Sequence, residues 1–496
     1  MDLAGVTDRL SALTSWHSDW SGLRVGVLGL GKTGFSVADT LVELGASVLV
    51  VAQRAEESQV RLIEVIGAAL VLDEVLDAPP RELALLNPEL LVVSPGFHPD
   101  HPVLVWAGEN GIPVWGDVEL AWRLRDKVGA PAEWIAVTGT NGKTTTVQLA
   151  ATMLVDGGFR AAPCGNIGIP ILDAIRDPAG FDVLVVELSS YQLHSTSSMS
   201  PYASVCLNIA EDHLDWHGSL DAYIAAKARV YTNTKVACIY NMSDARTIRM
   251  VENAEVVEGC RAVGFGLGVP GLSDFGVVDG ILCDRAFTEE RRIAALEITT
   301  IADLAARGLA APHIVANILA AAALARSFGV SIEAVRKTLA RFELDHHRIE
   351  LVAASGGVSW VNDSKATNAH AADASLGAYE SVVWVAGGLL KGVDVDPLVK
   401  ARASRMRAAI LIGVDRSDLR TAFQRHAPGV PVFEVDGTET EEVMSAVVRL
   451  AASVAESGDV VLLAPAAASM DQFVDYSDRG TKFAQAVRDY LGGGGS

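Results

Sequence analysis

The feature that most narrows the possible folds is a rhythm. Short β-prone apolar runs, each ending in Gly, Ser, Asn or Asp, recur along the chain, and each is followed by a loop and a helix-like segment. They are LRVGVLGLG (23–31), ELLVVSPG (89–96), EWIAVTGT (133–140), FDVLVVELSS (181–190), ASVCLNIAEDH (203–213), VACIYNMSD (236–244), SVVWVAGG (381–388), AAILIGV (408–414) and DVVLLAPAAAS (459–469). Unbroken apolar runs suit strands covered on both faces, and their alternation with helices predicts doubly wound α/β sheets. The chain has 496 residues, beyond the roughly 250–300 at which one core stops growing, so two or three domains are expected. RDKVGAPAE (125–133) and FELDHHRIEL (342–351) read as linkers. Between them, residues 245–300 are irregular and glycine-rich, and read as short antiparallel strands.

Charge and cysteine usage remove several function classes. A formal net charge of −21 repels nucleic-acid backbones and anionic membranes, so neither is an expected partner. Anionic ligands then need local pockets of backbone N–H groups, Lys, Arg or metal ions. The five cysteines are odd in number and lack CxxC spacing, which argues against a disulfide framework or zinc site and fits a reducing cytoplasm. The N-terminus carries acids and no long apolar core, unlike a signal peptide. AAPHIVANILAAAALA (310–325) is too short and too polar for a clear spanning helix. The terminal GGGGS (492–496) resembles a linker or tag remnant.

Two glycine loops carry the chemistry. GLGKTG (29–34) follows a strand and precedes a helix, as in a dinucleotide fingerprint. The second strand, however, ends in Ala52, Gln53 and Arg54, with no acid for a ribose hydroxyl. A plain tight turn, a nicotinamide site and a site for some other phosphate or diphosphate all remain open for this loop. VTGTNGKTTT (137–146) is the second. It has two residues between its glycines where the usual phosphate loop has four, yet it keeps wrapping N–H groups, Lys143 for terminal phosphates and a Thr144 hydroxyl for Mg²⁺. Glu187 lies within an apolar strand, where an acid is costly unless paired or metal-bound. His213, at the end of CLNIAEDH, is either a surface residue or a ligand beside that acid. Lys227, in YIAAKARVY, reads as a solvent-facing lysine or a site residue. Asn317 reads as starting an apolar helix, as a cap or an adenine contact.

In this order, VTGTNGKTTT, GNIGIP, VELSSYQL, NIAEDHLDWHG, HHRIE and VNDSKATN resemble the Mur ligase family, over about residues 23–490. The shortened GTNGKT loop is specific to that superfamily. VNDSKATN (361–368) and APAAASMDQFVDYSDRG (464–480) resemble the branch that adds D-glutamate, and the DNPR-like motif of the diaminopimelate- and lysine-adding enzymes is missing. The resemblance implies a cytoplasmic, ATP-dependent acid–D-amino-acid ligase of peptidoglycan synthesis, using UDP-N-acetylmuramoyl-L-alanine, D-glutamate and two Mg²⁺ ions. It implies three α/β domains: a Rossmann-like UDP-substrate domain (1–122), a central P-loop ATPase-like domain with a mostly parallel sheet (123–344) and a Rossmann-like amino-acid-binding domain (345–491). A monomer is expected.

The same resemblance assigns roles. Gly139, Thr140, Asn141, Gly142, Lys143, Thr144 and Thr145 would wrap the ATP phosphates, with Asn317, Arg348 and Asp363 also on the nucleotide. Thr144 and Glu187 would hold one Mg²⁺, and His213 with a carbamylated Lys227 the second. Lys32, Thr33, Arg54, Ser94 and Gly96 would take the uridine diphosphate, and Asn166 the muramoyl part. Thr367, Lys391, Ser469 and Tyr476 would bind D-glutamate. Three departures stand out. Ala52-Gln53-Arg54 replaces a common Asp-Thr-Arg, HIVAN (313–317) lacks an Asn after its His, and Tyr476 stands where Phe is common.

Overall fold

A computed structural model of the chain describes residues 9–435 and 440–493. Residues 1–8, at the start of the first expected domain, lie outside them. Of the segment read as a tag remnant, Gly492 and Gly493 close the last helix, Tyr476–Gly493, and residues 494–496 lie outside the described residues. Among the described residues the strands form sheets of five, nine and six.

The first sheet contains β1 (Arg24–Leu28), β2 (Ser47–Ala52), β3 (Ala69–Leu72), β4 (Leu90–Val93) and β5 (Val114–Gly116). All are parallel in the order β3-β2-β1-β4-β5. Val25, Val27, Leu28 and Leu90 to Val92 are buried, which is why these runs are unbroken rather than alternating. The order reverses between β1 and β4, so a crevice opens at their carboxyl ends, where doubly wound sheets bind ligands.

The second sheet contains β6 (Glu133–Thr138), β7 (Ala161–Gly165), β8 (Val183–Glu187), β9 (Ala203–Cys206), β10 (Ala237–Asn241), β11 (Arg261–Phe265), β12 (Asp274–Val278), β13 (Ile281–Asp284) and β14 (Leu296–Thr300). Its order is β14-β13-β12-β11-β10-β9-β6-β8-β7. The antiparallel reading of residues 245–300 holds for β12-β13-β14 only. Residues 245–252 form the helix Ala245–Glu252, and β11 pairs parallel with both β10 and β12. Glycine-rich spacing concealed the parallel pair, since strand direction is set by tertiary pairing. The apolar stretch 310–325 becomes most of the helix Pro312–Ser327, with Ile318 to Ala325 fully buried. It is a core helix, apolar all round because it is covered all round. Among the described residues no helix is long and apolar enough to cross a membrane.

The third sheet contains β15 (Glu350–Ser355), β16 (Val358–Asn362), β17 (Val382–Gly387), β18 (Met406–Ile412), β19 (Val432–Glu434) and β20 (Val460–Leu463), in the order β15-β16-β20-β17-β18-β19. Only β15 runs antiparallel, as an edge hairpin with β16. Apolar clusters cover both faces, one around Trp384 and Phe423 and the other around Trp360 and Phe483.

The chain divides into two compact units. The first holds the described residues through Ile209 with Asp221–Thr300 and Ala316–Arg341. The second holds Ala210–Leu220, Ile301–Val315 and the described residues from Phe342 onward.

Candidate active site

In the first unit, β6 feeds the loop 139–142, and the helix Lys143–Asp156 leaves it. Gly139 has φ +149° and Gly142 φ +83°, conformations that L side chains avoid. Space is as tight as the backbone. A Cβ on Gly139 would lie 3.0 Å from Leu207 Cβ, and one on Gly142 would lie 2.4 Å from Asn317 Oδ1. The exit of β9 and the helix Pro312–Ser327 therefore wall the loop on two sides. The N-cap is Gly142 itself, which has no side chain to occupy the first helical amides, and such an end attracts anions. Lys143 Nζ folds back to donate to the Gly139 and Thr140 carbonyls, both at 2.8 Å. Thr145 is buried behind the loop.

Glu187 ends β8, beside β6 in register with Val137. It is 2% exposed. Its Oε2 accepts from Thr144 Oγ1 at 2.9 Å and its Oε1 from Asn166 Nδ2 at 3.0 Å. The Asn166 backbone N–H also donates to the Glu187 carbonyl at 2.9 Å. Sequence reading separated Thr144 and Glu187 from Asn166 by ligand, but the fold joins all three. A carboxylate and a hydroxyl are hard oxygen donors of the kind Mg²⁺ prefers, so this pair fits one such ion. Among the described residues no group of three or more His, Cys, Asp and Glu is placed to hold a metal.

The structure removes the solvent-facing reading of Lys227. This side chain is 2% exposed, and its Nζ donates to the Gly139 carbonyl at 2.9 Å and to Thr138 Oγ1 at 3.1 Å. Its helix, Leu220–Ala228, turns Tyr223 the same way, with Tyr223 Oη 2.9 Å from Thr140 Oγ1. As an ammonium Lys227 cannot ligate a metal, whereas a carbamate on the same nitrogen would offer oxygens. Asn317 is corrected too. It lies inside the helix Pro312–Ser327 rather than at its start, so it caps nothing, and it faces Gly142 instead. Periodicity placed the helix but not its first residue, since Pro312 opens it.

The first loop sits at the carboxyl end of β1. Gly29 has φ +94°, and a Cβ on Gly34 would meet the Gly29 carbonyl oxygen at 2.0 Å, so the helix Lys32–Glu43 packs closely on its strand. Ser94, just past β4, lies against this turn. Its Oγ is buried without a hydrogen-bond partner among the described residues, an orphaned group that a ligand oxygen would satisfy. Lys32, Arg54 and Gly96 are exposed, and Thr33 is half-buried. Gln59 Nε2 holds the Leu30 carbonyl at 2.9 Å.

The second unit gathers its own set. Asp363, just past β16, is buried, and burial pushes its carboxyl up to about 6 against the pull of a Ser375 hydroxyl bond and of nearby Arg348. Thr367 lies in the turn that follows. Ser364 Oγ donates to the Tyr476 carbonyl at 2.7 Å, and Lys365 Nζ stands 3.8 Å over the Tyr476 ring. Exposed Lys391 has φ +54°, in the loop after β17. That loop pairs with the segment after β20 through Leu389 and Ala468, next to buried Ser469. Of the four residues expected to bind D-glutamate, Thr367, Lys391 and Ser469 thus follow the carboxyl ends of β16, β17 and β20, and Tyr476 opens the helix Tyr476–Gly493. His213 has φ +54° and starts the short helix Leu214–His217, with its N–H on Asp212 Oδ1 at 3.0 Å.

Sequence reading missed Asn208, Tyr223, Gln59 and Lys365. Asn208, Tyr223 and Lys365 lie inside NIAEDHLDWHG, YIAAKARVY and VNDSKATN, so position in a motif was the available signal. Gln59 gave none.

Comparison with known proteins shows the family. Residues 23–116 match the family model Mur ligase MurD-like, N-terminal domain, residues 137–325 match Mur ligase middle domain, and residues 347–467 match Mur ligase, glutamate ligase domain. The UDP-N-acetylmuramoylalanine--D-glutamate ligase of Leifsonia xyli subsp. xyli is 68% identical over 498 residues, covering 98% of this chain and 96% of its own. The protein of the same name from Streptomyces avermitilis is 52% identical, covering 95% of this chain and 99% of its own. Among solved structures, a pseudomurein peptide ligase type C from Methanothermus fervidus aligns with TM-score 0.56 at 16% identity, over 94% of this chain and 100% of its own. The UDP-N-acetylmuramate-alanine ligase of Thermotoga maritima aligns with TM-score 0.54 at 17% identity, over 94% and 99%. At such identities these two matches speak for the fold.

Proposed function

The chain belongs to the Mur ligase family, and from that membership we propose that it joins D-glutamate to UDP-N-acetylmuramoyl-L-alanine at the expense of ATP, in peptidoglycan precursor synthesis. The observation that carries this reading is the full-length similarity to the D-glutamate ligase of Leifsonia xyli.

A carboxylate does not condense with an amine unaided at neutral pH, because oxide would have to leave. The alanyl carboxylate first takes the γ-phosphoryl group, giving an acyl phosphate and ADP. The D-glutamate amine then attacks the acyl carbon. The tetrahedral intermediate expels phosphate, and the amine loses its proton. The first step joins an anion to a polyanion, so charge neutralisation is the largest catalytic contribution. Lys143 leaves the Gly139 and Thr140 carbonyls, to which it now donates, and turns to the β- and γ-phosphates. The loop Gly139 to Thr145 wraps the remaining oxygens, with the amides after Asn141 turned to them. Mg²⁺, when bound, adds positive charge at the phosphates. Thr144 and Glu187 would hold one ion, and His213 with a carbamylated Lys227 a second. Asn317, Arg348 and Asp363 position the nucleotide.

Lys32, Thr33, Arg54, Ser94 and Gly96 hold the uridine diphosphate, and Asn166 reaches the muramoyl part. Thr367, Lys391, Ser469 and Tyr476 take D-glutamate. These assignments go with domains at 1–122, 123–344 and 345–491, a monomer and a cytoplasmic location. The test is phosphate release from ATP with UDP-N-acetylmuramoyl-L-alanine and Mg²⁺ across an amino-acid panel, with product mass. Release that needs both the nucleotide substrate and D-glutamate, with the mass of one added glutamate, is expected. Release with a different amino acid would overturn the assignment of the D-glutamate residues.

A further inference from the structure

We propose that Asn208 is a positioning residue for the nucleotide: its carboxamide clamps the Asn141 peptide and keeps the phosphate loop open. The inference rests on the reading of that loop as the ATP site, and concerns a residue two positions beyond β9 to which no role has been given above.

The clamp is two-sided. The Asn141 N–H donates to Asn208 Oδ1 at 2.9 Å, and Asn208 Nδ2 donates to the Asn141 carbonyl at 3.1 Å. The Thr140 N–H donates to the Asn208 carbonyl at 2.9 Å. Register pairing between β6 and β9 ends at Thr138 and Cys206. Beyond that point the loop must turn away, and the Asn208 side chain continues the pairing in place of a backbone. Only a carboxamide presents a donor and an acceptor in one plane at this length.

Asn208 is itself anchored. The Leu207 N–H donates to the Thr138 carbonyl at 3.0 Å, and the Leu207 carbonyl accepts from Asn241 Nδ2 at 3.0 Å. The Ile209 N–H donates to Asp244 Oδ2 at 2.8 Å, and its carbonyl accepts from Arg246 Nη1 at 3.0 Å. Residues on both flanks are therefore fixed to β6 and to the end of β10. The clamp opposes a specific collapse. Lys143 Nζ pulls on the Gly139 and Thr140 carbonyls, and Lys227 Nζ pulls on Gly139 as well. In the ligand-free chain these bonds draw the Gly139 and Thr140 carbonyls onto the lysines, and the Asn208 clamp holds the next peptide against that pull. One consequence is that the Asn141 N–H is spent on Asn208, so the phosphates meet amides that come after it.

The test compares wild type with Asn208→Ala, Asn208→Ser and Asn208→Asp in the full chain. Binding of a non-hydrolysable ATP analogue with Mg²⁺ is measured by calorimetry, alongside binding of UDP-N-acetylmuramoyl-L-alanine, ligand-free melting and KM for each substrate. Loss of the two clamp hydrogen bonds should raise the analogue Kd and KM for ATP by about 10- to 100-fold in the Ala and Ser variants. Asp should be worse, since it keeps the acceptor, loses the donor and adds negative charge beside the phosphates. Binding of the UDP substrate and KM for D-glutamate should stay within about twofold of wild type. Unchanged analogue affinity in any folded variant would overturn the clamp while leaving the loop reading intact. Equal losses for both nucleotides, together with lower melting, would reduce Asn208 to a structural residue and also overturn it. A wild-type chain that fails to bind the analogue would overturn the loop reading, and this inference with it.

Discussion

Replacing Gly142 with alanine perturbs the phosphate loop by one methyl group. The residue sits at φ +83°, where a non-glycine residue costs about 1–2 kcal/mol. The new Cβ would lie 2.4 Å from Asn317 Oδ1 and 2.9 Å from its Nδ2. Ordinary carbon–oxygen contacts begin near roughly 3.3 Å, so the carboxamide must retreat by about 1 Å. Asn317 is 6% exposed inside a buried helix, which leaves it little room. Strain and displacement together should cost about 2–4 kcal/mol. That is less than the roughly 5–15 kcal/mol holding a typical domain, so the protein should fold and melt about 5–15 °C lower. If the loop is the ATP site proposed here, that displacement should weaken ATP-analogue binding by about 10- to 100-fold. Gly158→Ala is the control. Gly158 has φ +91° with no atom within 4 Å of an added Cβ, so it carries the strain without the collision. It should lower melting alone. If Gly142→Ala matched Gly158→Ala in melting and bound the analogue like wild type, Asn317 and the loop would not shape one site.

Three further outcomes are expected. Lys143→Ala should lower kcat by several orders of magnitude with the fold intact by circular dichroism, because its charge neutralises the transferring phosphoryl group; near-normal turnover would remove that lysine from the chemistry. Lys227→Ala should be nearly inactive and partly restored by short carboxylates such as acetate or formate, which replace a carbamate; full activity without additive would take Lys227 out of the site. Asp117 is buried, bonded through Oδ2 to Gln192 Nε2 at 3.0 Å, and burial raises its carboxyl from 3.8 to about 6. The folded state therefore holds a proton that the unfolded state releases, so this group loses stability as pH rises from about 4 through 6. Urea unfolding of Asp117→Asn should lack that loss, gaining up to about 3 kcal/mol on wild type between pH 4 and 7. Parallel pH curves would refute the buried proton.

Much of this protein was legible in the sequence because much of it is local. A strand, a glycine at positive φ and a helix start are neighbours in the chain, so both loops could be read from a few residues. Burial on both faces leaves its mark as unbroken apolar runs, which is why the strands of the parallel sheets were visible. Lys143, Thr144 and Glu187 followed from the same motifs. Short strands such as β3, β5 and β19 bury too little for a pattern to show.

What the tertiary structure decided is which distant residues meet, because sheet order rather than sequence spacing sets that distance. Placing β6 between β8 and β9 puts Glu187 on one side of the loop and Asn208 on the other, across 67 residues from Asn141. The same order buries Lys227 against Gly139, where composition alone favoured solvent. It also seats Asn317 on Gly142 and makes β11 parallel to β12. Each of these depends on long-range packing, whose free energy is collected only when the whole sheet forms. The sequence therefore determined most of the buried parallel strands, the two glycine loops and the residues proposed here to act on phosphate; packing decided which of them face one another.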